Sequence, residues 1–184
     1  MARQVLISLS LNKEIPSSYA PPLDILPNTF DLLPIMLLPV IPPSPASVES
    51  SEIVLRNWVA KKGFEFPELV LENGAGLSRK ERLSPHNLSL LLQDIQLSPY
   101  SAEIEASLPI VGVDGTMKKR HDNSTVTAHA HLKTGSLEGV KSIAGYLQSR
   151  SGKQWILVFI INHPNAAMGQ QAQDELIEWL EQSH

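Results

Sequence analysis

Hydrophobic spacing after residue 47 predicts four helices. Apolar side chains recur at helical intervals over residues 52–62, and Gly63 provides a stop signal. A Ser-Pro pair at residues 84–85 begins a second helix with a leucine-rich face to residue 95, and a second Ser-Pro pair at residues 98–99 begins a third helix to about residue 108. The last helix covers residues 170–182, and its predicted apolar face consists of Leu176, Trp179 and Leu180.

The strand signals are concentrated in the last third of the chain. Residues 125–132 alternate between polar and apolar side chains, and residues 140–148 and 155–161 form two further strand-like runs with short connections. A short apolar run at residues 68–72 is a weaker strand candidate. Short connections favour antiparallel pairing, so we predict an α+β fold in which helices flank an antiparallel sheet.

Proline placement separates the beginning of the chain from this regular part. Nine of the 14 prolines lie between Pro16 and Pro45, in a stretch that is also apolar. Proline removes a backbone donor and restricts the preceding residue, so residues 14–47 are predicted to be irregular. We therefore divide the chain into a start at 1–13, the Pro-rich segment 14–47, and a folded region at 48–184.

Composition excludes several classes of function. The formal net charge is -4, and the longest basic run, Lys118-Lys119-Arg120, is predicted to be a solvated turn, so we expect no nucleic-acid partner. The absence of cysteine excludes disulfides and thiolate chemistry. The apolar stretch at residues 30–41 contains two prolines and is too short to span a bilayer, and the first residues do not form a secretory signal.

Three segments contain candidate active-site residues, and along the chain they follow the order 71–79, 108–116, 133–135. Residues 133–135 read Lys-Thr-Gly, residues 71–79 read LENGAGLSR, and residues 108–116 read LPIVGVDGT. Together they resemble the class C penicillin-binding proteins, the D-Ala-D-Ala carboxypeptidase/endopeptidase group, over about residues 48–184. In that family the Lys-Thr-Gly element lies on an edge strand beside the active site. Ala75 departs from the family pattern, where serine is usual.

The resemblance implies a partial penicillin-binding transpeptidase/β-lactamase-like fold and a role for each residue of the element. Lys133 would supply a positive field, Thr134 a hydroxyl donor to a substrate carboxylate, and Gly135 room for the substrate backbone. The backbone N–H of Ser136 would be an oxyanion-hole donor, so Lys133 and Ser136 are the catalytic candidates. The expected partners are a peptidoglycan stem peptide ending in D-Ala-D-Ala and β-lactams, without a metal or other cofactor.

The nucleophile of such a site has no credible counterpart in this chain. The family uses a serine in S-x-x-K and a separate S-x-N, whereas here residues 10–13 (SLNK) match both patterns with the same serine, Ser10. The start at 1–13 resembles the helical sequence that follows S-x-N in the family. A truncated or frame-disturbed gene, with both motifs encoded upstream, is one hypothesis.

Two alternatives to a carboxypeptidase remain open. The chain could be a non-catalytic remnant that binds peptidoglycan-like ligands weakly or binds nothing. His129 and His131 share one strand face and could bind zinc, although no third ligand lies near in sequence.

Arg79 could anchor a loop or meet a substrate carboxylate, and local capping or pairing is the expectation for Asp114 and Asp122. The resemblance also implies a periplasmic location.

Overall fold

The computed structural model describes residues 47–72, 78–118, 120 and 129–183 in full, and residues 3–10 as backbone. Its helices are α1 (Val48–Lys61), α2 (Pro85–Gln96), α3 (Ser101–Ser107) and α4 (Gln170–Gln182). Its strands are β1 (Arg3–Ser10), β2 (Ala130–Leu137), β3 (Val140–Gln148) and β4 (Gln154–Asn162). Two short 3-10 turns lie at Gly115–Met117 and Ala166–Gly169. The Pro-rich segment lies almost entirely outside the described residues.

The strands form one sheet in the order β1-β4-β3-β2. The pairs β2–β3 and β3–β4 are antiparallel, as the short connections predict, and the fold is the expected α+β arrangement with helices on the sheet. Strand β1 pairs with β4 in parallel. Strand β2, which carries Lys133-Thr134-Gly135, is therefore an edge strand.

Both faces of the sheet are covered, because apolar side chains project from β3 and β4 in both directions. On one face, α1, α2 and α3 pack over Ala144, Tyr146 and alternate residues of β4. On the other face, Ile177 and Leu180 of α4 pack over Ile143, Leu147 and the remaining β4 side chains. The Tyr146 hydroxyl donates to the Leu92 carbonyl at 2.7 Å and ties β3 to α2.

Helix α2 starts where the sequence predicts. The Ser84 side chain accepts a hydrogen bond from the Asn87 N–H at 3.2 Å, and Pro85 occupies the first helical position, where its missing N–H has no cost. Helix α4 has the predicted bounds. Helix α3 begins at Ser101 rather than after Ser98, because the Ser98 hydroxyl is used in a turn and accepts from the Tyr100 N–H at 3.2 Å.

Four expectations require correction. The helical start proposed for residues 1–13 is wrong for Arg3–Ser10, where a run rich in Val, Ile and Leu forms β1 along β4. Residues 68–72 form only one isolated bridge, between Val70 and Arg82. Trp179 is 61% exposed, so the apolar face of α4 is centred on Ile177 and Leu180 instead. The strand expected at 125–132 is observed as Ala130–Leu137, and residues 125–128 lie outside the described residues.

Candidate active site

Lys133-Thr134-Gly135 lies in the middle of β2, not directly after it as the strand predicted at residues 125–132 would imply. The inner side of β2 pairs with β3, and Lys133 is opposite Ala144. On the outer side, the Ala130 carbonyl accepts from the Val111 N–H and the Leu132 N–H donates to the Pro109 carbonyl, both at 2.9 Å. Because backbone groups alternate in direction along a strand, those of Thr134 and Ser136 also point outward. No backbone group of the described residues pairs with this outer edge beyond Leu132.

The four residues of the predicted site have different surroundings. Lys133 is partly buried, and its Nζ donates to the Thr134 carbonyl at 2.8 Å. Thr134 is buried, with 8% exposure, and its Oγ1 lies 2.6 Å from Thr116 Oγ1. Gly135 is buried opposite Ser142, and Ser136 is exposed. Within the described residues, an ammonium, a hydroxyl and an outward N–H thus lie along one strand edge that has no backbone partner beyond Leu132.

The segment at residues 108–116 supports this edge. Asp114 Oδ1 accepts from the Ile110 N–H at 2.6 Å, which is the predicted local pairing rather than a helix cap, and the Gly112 N–H donates to the Met117 carbonyl at 3.1 Å. Met117 is fully buried beneath the sheet. These contacts hold the turn that presents Thr116 to Thr134, a pairing that sequence reasoning did not single out. The D-G-T triplet was the available signal for it.

Glu72, Ser78 and Lys80, at the described ends of the segment at residues 71–79 and just after it, form a small polar cluster. The Ser78 hydroxyl donates to Glu72, and Lys80 Nζ lies 2.8 Å from the second oxygen of the same carboxylate. The hydrogen bond from Lys80, followed by that from Ser78, lowers the pKa of Glu72, and Glu72 raises the pKa of Lys80. Arg79 lies 3.9 Å from Glu138 in the β2–β3 turn, with both side chains exposed. Ala75 lies outside the described residues.

His129 and His131 do not form a metal site within the described residues. The Nδ1 of His131 lies 3.1 Å from the Glu105 carbonyl, which can only accept, so Nδ1–H is the donor. His129 is exposed. Within the described part of the chain no group of three or more potential metal ligands comes together, and Asp122 lies outside that part.

The basic run at residues 118–120 is not entirely a solvated turn. The Arg120 side chain is only 8% exposed, and its Nε donates to Asp174 Oδ1 of α4 at 2.8 Å. Nearby, Lys141 Nζ donates to Gln170 at 2.9 Å. Burial, and then the Arg120 charge, lower the pKa of Lys141. This cluster lies on the α4 face of the sheet and joins Arg120 and Lys141 to α4.

Comparison with known proteins identifies a family for most of the chain. Residues 40–183 match the model of the D-Ala-D-Ala carboxypeptidase 3 (S13) family. The chain belongs to this family.

Individual relatives of this S13 family member show the same likeness. The D-alanyl-D-alanine carboxypeptidase DacB of Haemophilus influenzae is 30% identical over 120 residues, which cover 64% of this chain and 25% of the relative. The crystal structure of penicillin binding protein 4 (dacB) from Haemophilus influenzae superimposes with a TM-score of 0.62 at 26% identity, and covers 73% of this chain and 33% of that one.

A second Haemophilus influenzae structure of that protein, complexed with a novel β-lactam, gives a TM-score of 0.61 at 26% identity, covering 73% of this chain and 34% of that one. The likeness supports a partial transpeptidase-like fold. The S13 chain spans about a quarter of the length of the DacB relative. No described helix is long and apolar enough to cross a membrane.

Proposed function

We propose that this chain carries the ligand-binding half of a serine-type D-Ala-D-Ala carboxypeptidase/endopeptidase site of peptidoglycan metabolism, and that it does not form an acyl-enzyme by itself. The observation that carries the proposal is the position of Lys133-Thr134-Gly135 on an edge strand whose outer side has no backbone partner from Thr134 onward among the described residues. Family membership over residues 40–183 supports the choice of ligand class.

The proposed ligand is a peptide ending in D-Ala-D-Ala, which adds to the outer edge of β2 as an extra strand. The Lys133 ammonium attracts its terminal carboxylate, and the Thr134 hydroxyl donates to that group. Gly135 contributes no side chain, so the ligand backbone can approach the strand. The outward N–H of Ser136 would meet the carbonyl oxygen of the scissile peptide bond, where negative charge develops during acyl transfer.

The position of Ser10 supports the proposal that this chain lacks its own nucleophile. Ser10 ends β1, where it pairs with Asn162 of β4. Asn162 pairs with Val140 of β3, which in turn pairs with Leu137 of β2. Three strand spacings therefore separate the backbone of Ser10 from β2, which is about 14 Å. A nucleophile must reach the carbonyl carbon beside the oxyanion donor, so Ser10 is on the wrong edge of the sheet.

A fluorescent penicillin tests the acylation part of the proposal. The purified chain, shown to be folded by its circular dichroism and dispersed NMR spectrum, is incubated with the reagent and run on a denaturing gel. We expect no covalent band, because the proposed site holds an oxyanion donor without a serine nucleophile. A band that disappears in the Ser10→Ala variant would instead identify Ser10 as the nucleophile and reject this part.

NMR titration with N-acetyl-D-Ala-D-Ala tests the binding part. We expect weak, saturable shifts of β2 amides, which Lys133→Met reduces. Ser136→Pro removes the outward N–H without touching the β2–β3 hydrogen bonds and should weaken binding about fivefold, whereas Ser136→Ala should bind normally. Absence of any response in the folded chain would reject ligand binding and leave the non-catalytic remnant as the better description.

The periplasm is the compartment that we propose, because peptidoglycan stem peptides lie outside the cytoplasmic membrane. Cell fractionation with an antibody against the chain tests this location. Recovery in the cytoplasmic fraction alone would contradict it.

A further inference from the structure

We propose that Thr116 is a positioning residue for ligand recognition: its hydroxyl donates to Thr134 and thereby directs the single Thr134 hydroxyl proton toward the ligand carboxylate. This inference rests on the proposed function, because it assigns a second residue to the same carboxylate site. Its starting observation is the 2.6 Å distance between the two Oγ1 atoms.

Proton counting decides the direction of this hydrogen bond when an anion is present. Each threonine hydroxyl has one proton and two acceptor lone pairs. If Thr134 donates to Thr116, Thr134 presents only lone pairs to a carboxylate, and the contact is repulsive. If Thr116 donates, the Thr134 proton remains available for the ligand. An anionic ligand therefore selects the arrangement in which Thr116 is the donor.

Burial makes the two threonines unequal. Thr134 is 8% exposed, so few water molecules can compensate a wrongly oriented hydroxyl there. Thr116 is exposed, so its own lone pairs stay solvated when it donates its proton. When Thr116 donates to Thr134, the lone pairs left without a protein partner are therefore those of Thr116, which water can reach.

The backbone around Thr116 holds its hydroxyl in place. Gly115 has φ of 53° and packs so closely on Pro109 that an added Cβ would lie 3.1 Å from the Pro109 Cβ. Pro109 in turn accepts a hydrogen bond from the Leu132 N–H of β2. The turn is thus fixed to the same strand that carries Thr134, which keeps the two hydroxyls within hydrogen-bonding distance.

A double-mutant cycle with two ligands tests the inference. Affinities of N-acetyl-D-Ala-D-Ala and of its C-terminal amide are measured by NMR titration for the wild type, Thr116→Val, Thr134→Val and the double variant. We expect Thr116→Val to weaken binding of the acid about three- to tenfold and to leave binding of the amide within about twofold. The double variant should bind the acid no more weakly than Thr134→Val alone, because Thr116 acts through Thr134.

Thr116→Ser and Val113→Ala are the matched controls. Serine keeps the hydroxyl and should retain the wild-type preference for the acid, and Val113 is an exposed neighbour in the same turn. Melting temperatures of all variants establish that they are folded. If Thr116→Val fails to fold, Thr116→Ala with Thr116→Ser as its rescue gives the same comparison.

The outcomes separate this inference from the proposed function. If the wild type binds acid and amide equally, or binds neither, the carboxylate site is rejected and the role of Thr116 is rejected with it. If the wild type prefers the acid and Thr116→Val does so equally, only the inference is overturned. Losses that multiply in the double variant would also overturn it, because they would indicate a direct contact between Thr116 and the ligand.

Discussion

Gly145 of β3 lies opposite Leu132 of β2 and allows the two strands to pair beside the proposed site. Its φ is 147°, and a Cβ at this position would lie 2.2 Å from the His131 carbonyl oxygen. Any larger residue must therefore push β2 away from β3. We expect Gly145→Ala to lower the free energy of unfolding by about 3 kcal/mol, measured by urea denaturation.

Gly152 provides the control for this substitution. It also has positive φ, at 81°, but an added Cβ would meet nothing within 4 Å. Gly152→Ala should cost only about 1 kcal/mol, from the backbone conformation alone. Equal losses at the two glycines would show that the close approach to His131 does not matter.

Glu68 makes the stability of the chain depend on acid pH. Its Oε1 accepts from the Ser84 N–H at 2.8 Å and from Asn87 Nδ2 at 2.7 Å, at the start of α2. Burial raises the pKa of Glu68, but the hydrogen bonds from Ser84 and Asn87 outweigh it, so the net pKa lies below its ordinary value. The stabilisation is therefore complete above the unfolded-state pKa of about 4.3 and is lost as the pH falls through the folded-state value.

Glu68→Gln tests this dependence. We expect the variant to be less stable than the wild type by about 0.5–1 kcal/mol at pH 7, with the difference shrinking toward zero below about pH 4. Thermal unfolding over this pH range measures it. Glu65→Gln, at an exposed carboxylate on the same loop, should show no such trend, and a pH-independent difference for Glu68→Gln would contradict the assignment.

Individual residues of the site could be predicted only where a motif names them. The Lys-Thr-Gly element could be located from the sequence. Its place within β2 could not be predicted, because residues 125–132 alternate between polar and apolar side chains as strongly as β2 itself. Thr116 was not predicted as a partner of Thr134, since the two are 18 positions apart and only the fold joins them. Arg120 was misjudged because its partner Asp174 is 54 positions away.

At the scale of elements, prediction succeeded where local chemistry and tertiary packing agree. Helix α2 and strand β3 have local signals and buried faces that coincide, and the bounds of α4 agree with its local signals. The resemblance of residues 1–13 to a helical segment was misleading, because a strand-forming run can pair along β4 in this chain. Trp179 shows what local spacing cannot predict. It lies at a helical interval from Leu176, but it is exposed, because the spacing does not determine which side of α4 faces the sheet.

The ion pair between Arg120 and Asp174 joins α4 to the chain just after the 3-10 turn at Gly115–Met117. The Arg120 side chain is 8% exposed and that of Asp174 is 27% exposed. Replacing one member of a largely buried pair leaves the other charge poorly compensated. We expect Arg120→Met to lower the free energy of unfolding by about 3 kcal/mol, measured by urea denaturation.

Arg79→Met is the appropriate comparison for Arg120→Met. Arg79 lies 3.9 Å from Glu138, with side chains 63% and 91% exposed. An exposed pair of this kind contributes about 0.5 kcal/mol or less. Similar losses for the two variants would indicate that burial does not determine the strength of the Arg120 contact.

For the whole molecule, the central strands of the sheet form the hydrophobic core, and the proposed ligand site lies on an edge strand. Strands β3 and β4 are buried on both faces and form the interior, whereas β2 and β1 lie at opposite margins. The predicted α+β class follows from strand spacing and short connections. The parallel addition of β1 could not be predicted, because it joins the two ends of the sequence across the Pro-rich segment.

The alternation of backbone direction in β2 has a consequence for amide hydrogen exchange. The N–H groups of Lys133 and Gly135 point toward β3, whereas those of Thr134 and Ser136 point outward. Deuterium should therefore replace the amide protons of Thr134 and Ser136 faster than those of their neighbours, so that protection rises and falls with a period of two residues. A peptide that occupies this margin should slow the two fast sites and make the labelling profile of the strand uniform.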